Sequence, residues 1–164
     1  MTSSAFFGYG SLVNLNTHNY PNPRVTQITG WRRIWRSLEG RSTAILSVTP
    51  DTATTLSGII ADVPGADWAA LDAREGLYVR QSLPCGTAVY EVTDNIIQPS
   101  APHPILRSYL DVVAQGYMTH FGPQGVTDFF ATTDGWGSVL DDRAQPIYPR
   151  HQQVSPQTTE LVNR

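Results

Sequence analysis

The feature that most constrains the fold is a long amphipathic pattern in the second half of the chain. Within residues 105–120, apolar side chains recur at spacings of three and four, which places them on one face of a helix. They are Leu106, Tyr109, Leu110, Val113 and Tyr117. Gly122-Pro123 should end this helix, and a shorter helical piece is predicted at 127–130. A long helix that follows a series of strands indicates an α+β fold rather than a repeating βαβ arrangement.

The predicted strands precede that helix. They are short runs rich in aromatic and β-branched residues, bounded by Gly, Pro and Asp. Four of them are Ala5–Tyr9, Trp31–Leu38, Ala44–Val48 and Leu56–Val63. Tyr78–Leu83 and Ala88–Val92 are predicted to form a hairpin. Asp67 should cap a short helix that ends before Gly76.

The bulk composition restricts the class of function. The chain has 164 residues, 40% of them hydrophobic, which predicts one domain at 1–143 followed by a polar, partly flexible tail at 144–164. The net charge of −3 and the scattered arginines argue against nucleic acid. The local run Arg32, Arg33, Arg36 is interpreted as the polar side of a half-buried strand. A single cysteine, no basic leader and no long apolar stretch favour a cytoplasmic protein without a membrane partner.

Missing residue types narrow the chemistry further. The chain has no lysine, which excludes a Schiff-base lysine and a P-loop lysine. The histidines show no pair at helical spacing, and no cysteine or carboxylate completes a ligand set, so we expect no metal site. They are His18, His103, His120 and His151. Cys85 has no neighbouring feature of a thiol nucleophile.

The first predicted strand runs into a segment with two glycines, Gly8-Tyr9-Gly10-Ser11. A dinucleotide-binding loop would need a third glycine where this chain has Val13, so that fingerprint is not met. The peptide N–H groups of such a loop can instead point outward together and bind a carboxylate or a carbonyl oxygen. An ordinary tight turn is the alternative that these residues alone leave open.

Glu75 stands at the end of the predicted short helix, directly before Gly76. The helix dipole disfavours a carboxylate at this end, which would raise its pKa, and more so in a dry site. A raised pKa suits a general base that must later return its proton. A solvated glutamate, or one paired with Arg74 or Arg80, is the other interpretation.

Four segments resemble the γ-glutamylcyclotransferase superfamily, in particular its ChaC-like branch. The residues from Phe6 to Leu12, Phe-Phe-Gly-Tyr-Gly-Ser-Leu, are similar to its opening signature, and Gly30-Trp31-Arg32-Arg33 is similar to the G-W/Y-R-R strand of its ChaC-like members. The segment Leu71–Gly76, followed by Tyr-Val-Arg, resembles the one that carries the essential glutamate. Ser108-Tyr109-Leu110 resembles a late helix that contributes a tyrosine to the pocket. Four such segments in order within residues 5–123 are far more specific than any one of them.

The resemblance implies a small mixed, β-barrel-like sheet flanked by a few helices, with the site at one mouth. It implies that the loop of Tyr9, Gly10, Ser11 and Leu12, together with Tyr109, binds a γ-glutamyl group and that Glu75 is catalytic. No cofactor and no metal are implied. The implied reaction releases 5-oxoproline from a γ-glutamyl peptide, a γ-glutamyl amino acid or glutathione, by attack of the α-amine on the γ-carbonyl.

The chain also departs from the family pattern. Leu12 occupies a position where members acting on free γ-glutamyl amino acids usually have Asn, and the residues from Thr127 onward resemble nothing in the family. One alternative is therefore an enzyme that removes a γ-glutamyl group from an amine in a biosynthetic or detoxification pathway. Another is a non-catalytic small-molecule-binding module on the same scaffold. The presence of Glu75 argues against this alternative. We expect a small γ-glutamyl substrate as partner and a monomer or homodimer.

Overall fold

The computed structural model describes residues 4–38, 40–84, 86–92 and 103–163, and its centre is a six-stranded mixed sheet. The strands of this sheet are β1 (Ala5–Gly8), β2 (Arg24–Arg36), β3 (Ile45–Asp62), β4 (Val79–Ser82), β5 (Ala88–Glu91) and β7 (Thr133–Asp134), in the order β4-β5-β1-β3-β2-β7. A second, parallel pair consists of β6 (Ile105–Leu106) and β8 (Val139–Leu140). The helices are α1 (Ala69–Arg74), α2 (Arg107–Ala131) and α3 (Pro156–Val162). The mixed sheet with flanking helices confirms the predicted α+β fold.

Strand β1 lies inside the sheet, parallel to β5 and antiparallel to β3. All four of its residues are buried, and its side chains alternate between the two faces of the sheet. Phe7 packs with Leu110 and Val113 of α2, whereas Phe6 packs with Leu71 of α1. The two helices therefore flank opposite faces of the strand that leads into the predicted binding loop.

Strands β2 and β3 are longer than predicted. Strand β2 begins at Arg24 rather than at Trp31, and β3 runs without interruption through residues 49–55, which the sequence pattern left between two shorter strands. The two strands pair in antiparallel fashion, with a register shift between Thr29 and Gly30. Many side chains in these additional strand residues are exposed. Backbone hydrogen bonds between β2 and β3 therefore hold this part of the sheet, and burial contributes little. A pattern based on burial cannot reveal such a segment.

Arg33 also departs from prediction. Its side chain is only 1% exposed, although the arginine run was interpreted as a polar strand face. Arg32, on the other side of the strand, forms an exposed ion pair with Asp134 at 2.8 Å. Because side chains alternate along a strand, one of two adjacent arginines must point inward when β2 is covered on that face.

Helix α2 continues past the predicted stop at Gly122-Pro123. The backbone is not helical at Gly122, where φ is 71°, a value that glycine adopts without steric cost. Pro123 then opens the second part of the helix, where the missing N–H of proline does no harm. The glycine thus kinks the helix instead of ending it, and the predicted piece at 127–130 belongs to its second part.

The beginning of the predicted tail is attached to α2 by a buried carboxylate. Asp142 accepts hydrogen bonds from the N–H and the hydroxyl of Ser108, at 2.8 and 2.5 Å, and from the N–H of Ile147 at 2.8 Å. The adjacent Arg143 forms two hydrogen bonds of 2.8 Å with Asp111. These contacts place residues 147–150 beside the first turns of α2.

The rest of the tail contains helix α3. The hydroxyl of Ser155 accepts the N–H of Thr158 at 3.2 Å and so caps the helix. Val162 packs into the same core as Phe7 and α2. The segment predicted as a polar, partly flexible tail thus includes a docked helix, which is too short to produce a periodic pattern in the sequence.

Candidate active site

A cavity of about 690 Å³ lies at the end of β1. Its wall is formed by the loop after β1, the connection between β2 and β3, the end of α1, the start of α2 and the turn at residues 147–150. All six residues that the sequence singled out for the site line this one cavity. They are Tyr9, Gly10, Ser11, Leu12, Glu75 and Tyr109. Their roles remain predictions, but the structure brings them together.

The loop after β1 approaches α2 very closely at Gly10. A Cβ on Gly10 would lie 2.8 Å from the hydroxyl oxygen of Tyr109 and 3.1 Å from Cδ2 of Leu46. A larger residue therefore cannot occupy this position without displacing the wall of the cavity.

Backbone N–H groups are available in the same loop. Residues Ser11–Val13 form one turn of 3₁₀-helix, closed by a hydrogen bond of 3.0 Å from the N–H of Val13 to the carbonyl of Gly10. The first N–H groups of such a turn have no partner within it. The backbone of Ser11 hydrogen-bonds the Tyr109 hydroxyl, whereas no backbone carbonyl of a described residue accepts the N–H of Leu12. The hydroxyl of Tyr9 donates to the carbonyl of Tyr90 at 2.6 Å and is therefore already used.

Glu75 ends α1, and its N–H donates to the carbonyl of Leu71 at 2.9 Å. Its side chain is 14% exposed, and no described residue donates a hydrogen bond to its carboxylate; Nε of Arg74 lies 3.8 Å away. Burial raises the pKa of the Glu75 carboxyl above its ordinary value, while the charges of Arg74 and Arg150 act to lower it. The cavity thus contains a desolvated acid that can exchange a proton.

Arg74 links α1 to the loop after β1. Its guanidinium donates to the carbonyl of Thr17 at 2.7 Å, to the hydroxyl of Thr17 at 3.1 Å and to the hydroxyl of Ser11 at 3.4 Å. The distance from Nε to Oε1 of Glu75 is too long for a hydrogen bond. Arg74 therefore fixes Glu75 relative to the loop and also forms the ion pair with Glu75 that the sequence left open, without a hydrogen bond between them.

Tyr109 projects from the start of α2 into the cavity. Its ring packs edge-on against Trp35 and Tyr148, with centroids 5.9 and 5.1 Å apart. Burial, and next the neighbouring Tyr148 and Glu75, raise the pKa of the Tyr109 hydroxyl, whereas hydrogen bonds with the backbone and hydroxyl of Ser11 oppose the shift. Tyr109 is therefore a neutral hydrogen-bonding group at any physiological pH.

Comparison with solved structures identifies the architecture. An uncharacterized protein from Homo sapiens superimposes with a TM-score of 0.59 at 14% identity, covering 100% of both chains. A γ-glutamyl cyclotransferase superimposes with a TM-score of 0.58 at 14% identity, covering 99% of both chains. This chain has the γ-glutamylcyclotransferase-like fold. No protein-family model matches the sequence, and no curated protein matches it.

Cations dominate the cavity of this γ-glutamylcyclotransferase-like fold. Arg41, Arg74 and Arg150 line it, and among the described lining residues Glu75 alone carries a carboxylate. The excess of positive charge contrasts with the net charge of −3 for the whole chain. Sequence reasoning missed Arg41 and Arg150, because neither belongs to a motif or a periodic element.

The described part of the chain offers neither a metal-ligand cluster nor a membrane-spanning helix. It holds no group of three or more His, Cys, Asp or Glu side chains placed to bind a metal ion. None of its helices is long and apolar enough to cross a membrane. Cys85 lies outside the described residues.

Proposed function

We propose that this protein is a γ-glutamylcyclotransferase-type enzyme that releases 5-oxoproline from a γ-glutamyl compound. The observation that carries the proposal is the desolvated carboxylate of Glu75, which shares one cavity with the Tyr9–Leu12 loop and Tyr109. The α-amine of the substrate attacks its own γ-carbonyl, a lactam C–N bond forms, and the bond to the departing amine breaks. Holding the substrate folded for this intramolecular step contributes several kcal/mol, up to ~10.

Glu75 carries the proton in this scheme. The substrate's ammonium must lose two protons to become the lactam nitrogen. The Glu75 carboxylate takes one of them and passes it to the departing nitrogen, and the other reaches solvent. A carboxyl group whose pKa is raised by burial suits both halves of this transfer, because a raised pKa makes the carboxylate a stronger base for the first proton transfer and the same group then returns the proton.

The loop and Tyr109 hold the reacting group. The N–H groups of Gly10, Ser11 and Leu12 would bind either the oxyanion that forms at the γ-carbonyl or the α-carboxylate of the substrate. The Tyr109 hydroxyl, which approaches Gly10, would donate a hydrogen bond to the substrate from the helix side. Each of these groups acts without a metal, a nucleotide or another cofactor, and we expect none to be needed.

The charge of the cavity favours a substrate with two carboxylates. A γ-glutamyl amino acid or peptide has one carboxylate on the glutamyl part and another on the departing part, whereas a γ-glutamyl amine lacks the second. Arg41 and Arg150 reach the cavity from separate segments, the β2–β3 connection and the turn at 147–150. Two cations beyond Arg74 would complement two carboxylates. We therefore place γ-glutamyl amino acids and peptides, glutathione among them, ahead of γ-glutamyl amines, and we expect action in the cytoplasm.

The test is direct measurement of 5-oxoproline by mass spectrometry after incubation with γ-glutamylglycine, glutathione and γ-glutamyl methylamide. Glu75→Gln should abolish release, and Glu160→Gln, the same change on the exposed side of α3, should not. The proposal fails if the wild-type protein releases no 5-oxoproline from any of these compounds, or if Glu75→Gln keeps more than a tenth of the activity.

A matched pair of substrates tests the charge argument. γ-Glutamylglycine and γ-glutamyl methylamide differ by one carboxylate. Arg150→Gln should raise KM about tenfold for the first and much less for the second, since about 1.4 kcal/mol of attraction is lost only there, whereas Arg41→Gln should raise KM for both because both substrates keep the glutamyl carboxylate. Arg24→Gln, which removes an exposed arginine paired with Asp62, is the control. If the wild type has equal KM values for both substrates, the proposal that the cavity binds a second carboxylate is wrong.

A further inference from the structure

Arg33 is a buried cation to which the proposed reaction assigns no task. Its Nε donates to the carbonyl of Tyr9 at 2.7 Å, its Nη2 to the carbonyl of Ser57 at 3.2 Å and its Nη1 to the hydroxyl of Thr132 at 2.7 Å. Among the described residues none forms an ion pair with it, so carbonyl and hydroxyl oxygens take the place of a counter-ion. Burying an arginine in this way is costly, which indicates a task beyond packing.

Tyr117 of α2 holds the same two carbonyls. Its hydroxyl oxygen lies 3.0 Å from the carbonyl of Tyr9 and 2.7 Å from that of Ser57, and it accepts a hydrogen bond from Nη2 of Arg33. Its ring and that of Phe129 lie 5.0 and 4.9 Å from the guanidinium carbon, within the range of a cation–π interaction. The two rings and the hydrogen bonds together hold the Arg33 side chain in a single orientation.

These contacts end the hydrogen-bond ladder between β1 and β3. Gly8 is paired with Ile59, so a continued ladder would place Gly10 opposite Ser57. The carbonyl of Ser57 instead accepts from Arg33 and Tyr117. The chain therefore leaves the sheet after Gly8 and enters the wall of the cavity.

The contacts of Arg33 and Tyr117 with the Tyr9 carbonyl also fix the direction of the Gly10 N–H. In a trans peptide the C=O and the N–H point in opposite directions, and no described peptide bond is cis. The Tyr9 carbonyl points toward Arg33, so the N–H of Gly10 points away from it, and Gly10 lines the cavity. No backbone carbonyl of a described residue accepts this N–H. A charged donor on the C=O also polarises the peptide and makes its N–H a stronger donor.

We propose that Arg33, together with Tyr117, is a positioning residue that directs the Gly10 N–H at an anionic oxygen of the substrate. This inference rests on the proposed function. Arg33 does not line the candidate active-site cavity and acts only through the Tyr9–Gly10 peptide.

The kinetic test uses two variants and one control. Arg33→Lys keeps the charge but cannot reach all three acceptors, and Tyr117→Phe removes one hydroxyl while keeping the ring. Each should lower kcat/KM for γ-glutamylglycine at least about tenfold, in kcat if the oxygen is the oxyanion and in KM if it is a carboxylate. Thr132→Val removes the partner of Nη1 and leaves the contact with Tyr9, so its kcat/KM should stay within about twofold of wild type.

A second readout does not depend on turnover. In NMR spectra of the free protein, the Gly10 amide proton should shift upfield in Arg33→Lys and Tyr117→Phe and stay in place in Thr132→Val, because only the first two weaken the polarised peptide. If Arg33→Lys does not fold, Tyr117→Phe decides.

The outcomes separate the two proposals. Folded variants with kcat/KM within twofold of wild type overturn the inference, and so does a kinetic loss without any shift of the Gly10 amide. If wild type releases no 5-oxoproline, the proposed function fails, and an unmoved Gly10 amide would independently refute the positioning role of Arg33.

Discussion

The close approach between Gly10 and Tyr109 predicts a specific interaction between two substitutions. A Cβ added by Gly10→Ala would lie 2.8 Å from the hydroxyl oxygen of Tyr109. The tyrosine cannot simply swing away, because Trp35 and Tyr148 pack against its ring and Ser11 binds its hydroxyl. Gly10→Ala alone should therefore destabilise the protein and also disturb the loop.

The magnitude follows from the overlap. Forcing one extra carbon into a packed site costs about 1–3 kcal/mol. Tyr109→Phe removes the oxygen that the new Cβ would meet and leaves the ring in place, so the remaining contact is with Leu46 at 3.1 Å. The double variant should therefore be more stable than the sum of the single effects predicts, by about 1 kcal/mol or more.

The assay is urea denaturation of the wild type, the two single variants and the double variant. For a domain of this size, 1 kcal/mol also corresponds to about 2–4 °C in Tm, so thermal melting gives an independent reading. Tyr78→Phe is the matched control, because Tyr78 also lines the cavity but its hydroxyl donates to the carbonyl of Leu46 instead. If the changes in unfolding free energy of Gly10→Ala and Tyr109→Phe add up to that of the double variant, the predicted steric overlap is refuted.

Three further predictions follow from the same contacts. Since burial raises the pKa of Glu75 above 4.5, kcat/KM should fall with decreasing pH through a midpoint above 4.5, and a pH–rate profile checks this. Activity should survive EDTA and the substitution Cys85→Ser, and an inactive but folded Cys85→Ser would revive a thiol mechanism. Burial acts to raise the pKa of Asp142, but hydrogen bonds from Ser108 and Ile147 lower it below 3.8. Asp142 therefore stabilises the fold above pH 3.8, and this contribution is lost as pH falls through its lowered pKa. Asp142→Asn should cost about 1–3 kcal/mol at pH 7, and denaturation curves at decreasing pH should show this cost shrink below pH 3.8.

The elements that depend on local patterns were predictable. Strand β1, helix α1, the β4–β5 pair and the start of α2 lie close to their predicted places, because burial periodicity or a cap marks each of them. The capping contact shows the usual uncertainty of one residue: Asp67 accepts the N–H of Ala69 at 3.3 Å, while Trp68 occupies the N-cap.

The parts that depend on distant partners were not predictable. Most of residues 49–55 of β3 are exposed, and positions 49–51 and 55 are held in the sheet by pairing with β2. Arg33 is buried because Tyr9, Ser57 and Thr132, from three other parts of the chain, supply its acceptors. Arg150 reaches the cavity because Asp142 binds α2 a few residues earlier. No local pattern carries such information.

The attachment of residues 147–150 through Asp142 separates two properties of the site. Glu75 and the loop after β1 are held by α1, Arg74 and the sheet, whereas Arg150 depends on the contacts of Asp142 and Arg143 with α2. Under the proposed function, the proton-transferring group and the group that selects the departing amine thus belong to independently supported pieces of chain. Evolution, or a protein engineer, can vary Arg150 to change the accepted substrate while Tyr148 stays packed against Tyr109, although losing the Arg150 charge would also raise the pKa of Glu75.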